Sequence, residues 1–453
     1  MFLLSFGLTI ALADQFDPHS YDWGDVITKD IAIVGGGSTG TYAAINLLDM
    51  GQKVVVVERE SVLGGHTSIY TDVQTNTKID YGVQSFSNIS VVRDFFARFH
   101  VPLTRFSLNA SVIYADFESG ELFPKFAPSY DFDAYQTQLK KYPYLPISWD
   151  LPVPVPEDLL LSFGEFLNKY SLQDIAYAVW SSARGSGDIL RQPAVYILKA
   201  VDEPYIEGLS QGTLTTANHN NYELYEKALQ ELGPDAIVSS TVTAAQRSTD
   251  GVRLVVETPS GKKLILASKL LVSIPPDLEN MGPFDLDDRE KGLFQKFNNC
   301  AWYIAVVTNT GFPAGYRFQN IGTSNDTYRI PRLPAIYSIN PSVVDGIFYV
   351  WYGASQAVAE ADVKTDISTA IERLSRGIGK SNERKQKVQF LVYKSHTPFQ
   401  LVVSAEDIDD GFYRELQGLQ GHRSTWYTGA AFLSHHAGQL WNFTQALLPS
   451  LAA

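Results

Sequence analysis

Residues 30–34 (DIAIV) run without a gap into Gly35-Gly36-Gly37-Ser38-Thr39-Gly40. The stretch TYAAINLLDM follows, with Ala44, Leu47 and Leu48 at helical spacing, and stops at Gly51. Residues 53–57 (KVVVV) form a second β-branched run, closed by Glu58. Strand, glycine turn, helix and strand within about 30 residues make a parallel βαβ unit, which commits the chain to an α/β sheet. Each glycine has a mechanical role: Gly35 permits the tight turn, Gly37 lets backbone approach a pyrophosphate, and Gly40 lets helix and strand close up. Ser38 and Thr39 open the helix, whose free N–H groups favour a phosphate. Glu58, at the second strand's end, is placed to accept hydrogen bonds from both hydroxyls of an adenosine ribose. Gly36 to Gly40 also match the GxSxG pattern of a hydrolase nucleophile elbow, but an elbow gives no reason for Glu58.

The 453 residues carry 36 Lys and Arg against 49 Asp and Glu, a net charge of −13 that argues against nucleic acid or an anionic membrane as partner. A single cysteine, Cys300, excludes an internal disulfide framework and any Cys-based metal cluster. His435-His436 has no carboxylate or cysteine at ligand spacing, so no metal site is expected. Residues 2–12 (FLLSFGLTIAL) are too short to span a bilayer but fit a secretory h-region before an A-x-A site. Residues 1–13 are therefore expected to be a signal peptide, with Asp14 the first mature residue. Sequons at Asn88, Asn109, Asn325 and Asn442 agree with a glycoprotein of the secretory pathway, either secreted or in a vesicular lumen.

Beyond Glu58 come Leu63-Gly64-Gly65-His66-Thr67 and then Asp80-Tyr81-Gly82-Val83-Gln84. The stretch VVVVERESVLGGHT resembles the flavin-containing amine oxidase superfamily, with Gly64 six positions after Glu58. The resemblance implies FAD, with Gly64, Gly65 and His66 beside its diphosphate and ribityl chain. Two further segments resemble that superfamily: residues 236–276, where Val242 would offer its backbone to adenine, and Ser424–Gly429, where Gly429 and a following helix would face the flavin. That helix is expected to run through Leu447. More closely, DIAIVGGGSTGTYAAINL, GGHT and IDYGVQSF resemble the fungal beta-cyclopiazonate dehydrogenase family of FAD oxidoreductases. The bacterial polyunsaturated fatty acid isomerases are similar in outline, with Gly418-Leu419-Gln420-Gly421 matching one of their stretches.

Departures matter too. His66 stands where most amine oxidases have arginine, and one hypothesis is that it bonds covalently to the flavin. No lysine occurs in residues 299–304, the strand expected to carry the one near flavin N5. Tyr427 and Trp426 are candidates for an aromatic wall above the flavin, with Gly82 and Gly429 near it by family analogy.

The expected architecture is a discontinuous Rossmann-type FAD-binding domain (26–86, 220–280 and 421–453). An interleaved α+β substrate domain (87–219 and 281–420) would have an antiparallel sheet flooring the cavity. A proline-framed aromatic loop at 142–156 would cover the pocket. The implied activity is FAD-dependent oxidation of a hydrophobic small molecule, a fungal secondary metabolite, with ring closure as one outcome and molecular oxygen as electron acceptor. The alternatives are a redox-neutral fatty acid isomerase, an amine oxidase, or a flavin carrier without turnover.

Overall fold

The computed structural model describes residues 15–107, 110–323, 326–379 and 386–453. The expected signal peptide and the sequons at Asn109 and Asn325 lie outside them. The glycine-flanked unit forms as expected: strand Val26–Val34, helix Ser38–Asp49 and strand Val54–Val57, the two strands parallel. The first strand starts four residues earlier than its apolar run. Val26–Lys29, ahead of that run, pairs in parallel with Leu264–Ala267.

These strands belong to a seven-stranded sheet ordered Ala236–Ile237, Val54–Val57, Val26–Val34, Gly261–Val272, Gly251–Thr258 and Thr241–Ser248. The long Gly261–Val272 strand pairs antiparallel with Gly251–Thr258 over its first half. Its end, Leu270–Val272, pairs in parallel with Thr425–Tyr427 instead. Both faces of the parallel part are buried, which explains its unbroken apolar runs. Ile31, Ile33, Val54 and Val56 face helix Ser38–Asp49 and the carboxy-terminal helix Ala437–Ala452, while Ala32, Val34, Val55 and Val57 join the central core.

The second sheet has six strands, ordered Gln389–Ser395, Ala301–Thr308, Phe348–Ala354, Ala335–Pro341, Tyr316–Asn320 and Ser111–Ala115. Strand alternation divides its residues. Ala301, Tyr303, Ala305, Val350 and Tyr352 pack with helix Glu360–Gly377 through Val363, Ile367 and Ile371. The opposite face presents a row set by register: Lys394, Ile304, Trp351, Ser338, Gln319 and Tyr114. At strand spacing of about 4.8 Å this row is about 24 Å across. Short helices from Glu157 to Ala200 pack as core, as their apolar content predicts.

Candidate functional site

At the start of helix Ser38–Asp49 the N-cap residue is Gly37, whose lack of a side-chain cap leaves the first backbone N–H groups available to an anion. Gly35 N–H extends the sheet by bonding Val57 O at 2.9 Å. A Cβ on Gly40 would stand 1.9 Å from Gly35 O, so helix and turn touch only because it is glycine. Ser38 Oγ accepts from Trp441 Nε1 at 2.9 Å and Thr39 is buried, which leaves their main chain as the ligand-facing part. Glu58 is buried, accepting from Gly36 N–H at 2.6 Å and Glu60 N–H at 2.8 Å through different oxygens. Ser240 N–H bonds Glu58 O at 2.9 Å, which brings Val242, two residues on, to the same end of the sheet.

Gly64 N–H donates to Gly36 O at 2.8 Å, so the second glycine turn lies against the first. A Cβ on Gly65 would come 3.0 Å from Gly37 Cα. Gly82 crosses directly over the His66–Ser68 main chain, where any Cβ would meet His66 O at 1.9 Å. Gly429 sits 3.5 Å from Ser273 O by the same measure, and Ser273 Oγ donates to Gly35 O at 2.8 Å. The four glycine segments, distant in sequence, therefore converge.

His66 marks a cavity. Its surface is exposed to a water-sized probe, yet desolvation, with Lys394 and Arg59 nearby, pushes its pKa down to about 4. A group both accessible and surrounded by protein opens onto an interior space rather than bulk water. The His66 ring lies 4.3 Å from His396 and 5.6 Å from Phe399, and Phe399 stacks on His435 at 4.2 Å. Both ring nitrogens of His396, Nε2 of His435 and Oε1 of Gln400 are buried without a hydrogen-bond partner among the described residues. Burial, then the neighbouring histidines, pushes His435 down to about 3. Burial likewise lowers His396 well below its ordinary value.

These shifts set an acid limit. Imidazoles held neutral in the fold but free to protonate when unfolded make stability full above about pH 6.5 and declining below it, toward about pH 4. Thermal unfolding midpoints between about pH 7.5 and 4.5 should fall in that window, and less steeply for His435→Phe. A flat profile would contradict the burial.

Chain-wide comparison decides the family. Residues 33–99 match the NAD(P)-binding Rossmann-like domain. FAD-dependent oxidoreductase dbaF of Emericella nidulans is 42% identical over 99% of this chain and 97% of its own length. FAD-dependent oxidoreductase pigF of Monascus ruber is 41% identical over 100% and 98%. Beta-cyclopiazonate dehydrogenase of Aspergillus oryzae is 34% identical over 98% and 96%.

The chain belongs to the fungal FAD-dependent oxidoreductases.

Among solved structures, a CLA-producing fatty acid isomerase from P. acnes shares the fold of this FAD-dependent oxidoreductase with a TM-score of 0.76 at 19% identity, over 93% of this chain and 98% of that one. A putrescine oxidase variant shares it with a TM-score of 0.65 at 16% identity, over 94% and 99%. The residues present fit FAD: a cradle of converging glycines, a carboxylate at the strand end, and a cavity whose buried polar atoms await partners.

Two expectations of the oxidoreductase's sequence fail. Trp426 and Tyr427 form no aromatic wall, because they are sheet residues pointing to opposite packed faces. Trp426 lies against the helices and below Lys269, whose Nζ is 5.5 Å from its ring. Tyr427 is fully buried and donates to Glu290 at 2.7 Å, while Arg247 donates to its hydroxyl at 3.1 Å. The expected helix after Gly429 begins only at Ala437, following a short 3-10 turn at Ala430–Phe432. His435 occupies that gap and lines a cavity of about 70 Å³ with Arg184, Lys199 and Trp149 of the expected covering loop.

Sequence reasoning also overlooked Lys394. It stands directly beside Ile304 on the neighbouring strand, and its Nζ donates to Ser68 Oγ at 3.0 Å and approaches Gly65 O at 3.4 Å. Its one sequence signal is a lone charge in the apolar run FLVYKS. Asp287, Glu290 and His422 bring three ligand-type atoms within 4.8 Å, but Arg247 already neutralises Glu290. Cys300 is buried, and desolvation pushes its thiol up to about 12, which keeps it protonated and inert. Among the described residues no helix is long and apolar enough to cross a membrane.

Proposed function

We propose that this enzyme oxidises a small aromatic or polyunsaturated metabolite lying between the His66 turn and the open face of the six-stranded sheet. The observation that carries the reading is the convergence of the Gly36, Gly64, Gly82 and Gly429 segments around the His66 turn, which Lys394 ties to that face. FAD, when bound, would supply a two-electron acceptor for a hydride equivalent from a substrate carbon, with molecular oxygen as the final acceptor. The helix start from Gly37 to Gly40, with Gly35, Ser38 and Thr39, would hold the pyrophosphate, and Glu58 the ribose. Val242 main chain would meet the adenine, and Gly64, Gly65, His66, Gly82 and Gly429 would border the ribityl chain and ring.

The chain's own groups do the remainder. Trp302 and Phe399, whose rings stack with centroids 6.0 Å apart, exclude water from the reacting face. Imidazoles with pKa values near 3 to 4 are poor proton acceptors at neutral pH, so His66 and His435 act as neutral hydrogen-bonding partners rather than as bases. Lys394 fixes the Gly65–Ser68 main chain against the sheet.

Anaerobic mixing of the FAD-loaded enzyme with polyketide, indole and fatty-acid compounds tests the reading through the flavin absorbance. Persistent bleaching by at least one compound, with product two hydrogens lighter, is the expected result. Transient bleaching with a product of unchanged mass would replace net oxidation by isomerisation.

A further inference from the structure

The open sheet face is less apolar than a cavity for a plain hydrocarbon should be. Beside Trp351 it carries Ser338, Asn340, Gln319 and, two residues from Gln319 and so on the same side, Arg317. Arg317 has a buried Nε with no hydrogen-bond partner among the described residues. From above, the loop after helix Ala176–Ser182 brings Arg184 onto the same face, its guanidinium carbon 4.0 Å from the centre of the Trp351 ring.

Neither guanidinium makes an ion pair with a described residue. The largest ionisable influences on Arg184 are Tyr205, Tyr349, Arg317 and Tyr130, and burial is the main cause that lowers its pKa. Asp188, the nearest acid along the chain, is turned toward Arg191 at 3.5 Å. A cation held away from water, with a second guanidinium acting on it as a like charge, destabilises the protein unless an anion joins them. The place is also joined to the reacting end. Gly185, next to Arg184, packs so tightly on Phe399 that a Cβ there would come within 2.3 Å of the ring, and Phe399 stacks on His435 and His66. Tyr349, on the adjoining row of the face, lines a second cavity of about 400 Å³ with Gln84, Phe106 and His219.

We propose that Arg184 and Arg317 form an anion subsite that holds a planar oxyanion of the substrate, a carboxylate or an ionised 1,3-dicarbonyl, away from the carbon that is oxidised. This rests on the oxidation reading above and specifies its substrate class. Paired guanidiniums suit such groups because their planar N–H forks match two oxygens at once.

The test uses the oxidised, FAD-loaded enzyme and needs no turnover. Cinnamate is titrated against cinnamamide, and dimedone against its neutral methyl enol ether, by calorimetry and by perturbation of the flavin spectrum. A charge-assisted pair predicts that the anion of at least one couple binds about 10- to 100-fold more tightly than its neutral counterpart. Cinnamate preference would assign a carboxylate, dimedone preference an ionised dicarbonyl. Arg184→Gln and Arg317→Gln should each erase the preference while leaving the melting temperature unchanged or higher, since each removes an unpaired charge. Equal affinities within both couples, or a preference surviving both substitutions, would overturn the subsite. Failure of every compound to bleach the flavin anaerobically would instead strike the oxidation reading and leave this binding result standing.

Discussion

Gly40→Ala should yield a protein that neither retains FAD nor melts as the parent does. The added Cβ would lie 1.9 Å from Gly35 O and 2.6 Å from Ser273 Oγ. No rotamer relieves a clash between Cβ and main chain, so helix Ser38–Asp49 must leave the strand it packs on. That movement also breaks the Ser273 bonds to Val34 O at 3.0 Å and Gly35 O at 2.8 Å, which join the first strand to the Gly261–Val272 strand. Overpacking of this kind costs about 1–3 kcal/mol even where neighbours can yield, and here they are backbone. Gly37→Ala is the control. Its Cβ would meet only Gly65 Cα, at 3.8 Å, and its φ of −71° suits alanine. That variant should melt like the parent but lose at least about tenfold in FAD affinity, because the methyl occupies space beside the pyrophosphate. Flavin absorbance after gel filtration and a thermal melt read both effects; a yellow, normally melting Gly40→Ala protein would refute the close approach.

Arg247→Met should destabilise the fold by about 3–5 kcal/mol, the cost of stranding a buried carboxylate. Arg247 and Glu290 have fully buried side chains joined by two bonds of 2.7 Å. The same guanidinium reaches Asp285 at 2.9 Å, Phe284 O at 2.7 Å and Tyr427 Oη at 3.1 Å. It thus joins the Thr241–Ser248 strand, the helix Asp288–Phe294 and the Thr425–Tyr427 strand. Burial alone would raise the Glu290 carboxyl, but the hydrogen bonds and charge of Arg247 overcome it and hold it below the usual range. In the parent this contribution is present above the unfolded pKa of about 4.3 and is lost as pH falls through the lower folded value. In Arg247→Met the sign reverses: Glu290 becomes a raised carboxyl, and the deficit narrows as pH falls through that raised value toward the unfolded pKa of about 4.3. Arg247→Met with Glu290→Leu should recover most of the loss. Denaturant unfolding at two pH values decides this; a pH-independent deficit would mean that the pair is not coupled.

The contrast between these sites shows what was legible beforehand. Gly35, Gly37, Gly40, Glu58 and Gly64 announce themselves because a turn, a helix start and a strand end follow each other along the chain, so spacing encodes their relation. Tyr427 was misread for the complementary reason. A family motif placed it near Gly429, but side-chain alternation in a strand buried on both sides sends it toward Arg247. Residues 299–304 contain no lysine, yet antiparallel pairing sets Lys394 beside Ile304 from ninety positions further along the chain.

From the amino-acid sequence alone followed the α/β class, the βαβ cradle, the FAD cofactor and the oxidoreductase family, all properties carried by local spacing or by chain-wide similarity. Only the tertiary structure decided which side chains meet in the chamber. His66, Arg184, Arg317, Lys394 and His435 come from five separate segments, and nothing local distinguishes an arginine that finds a carboxylate, such as Arg247, from one left facing a cavity. Pairing of a charge is a property of what folding brings within a few ångströms, so the chemistry of the substrate end is written in the packing rather than in any motif.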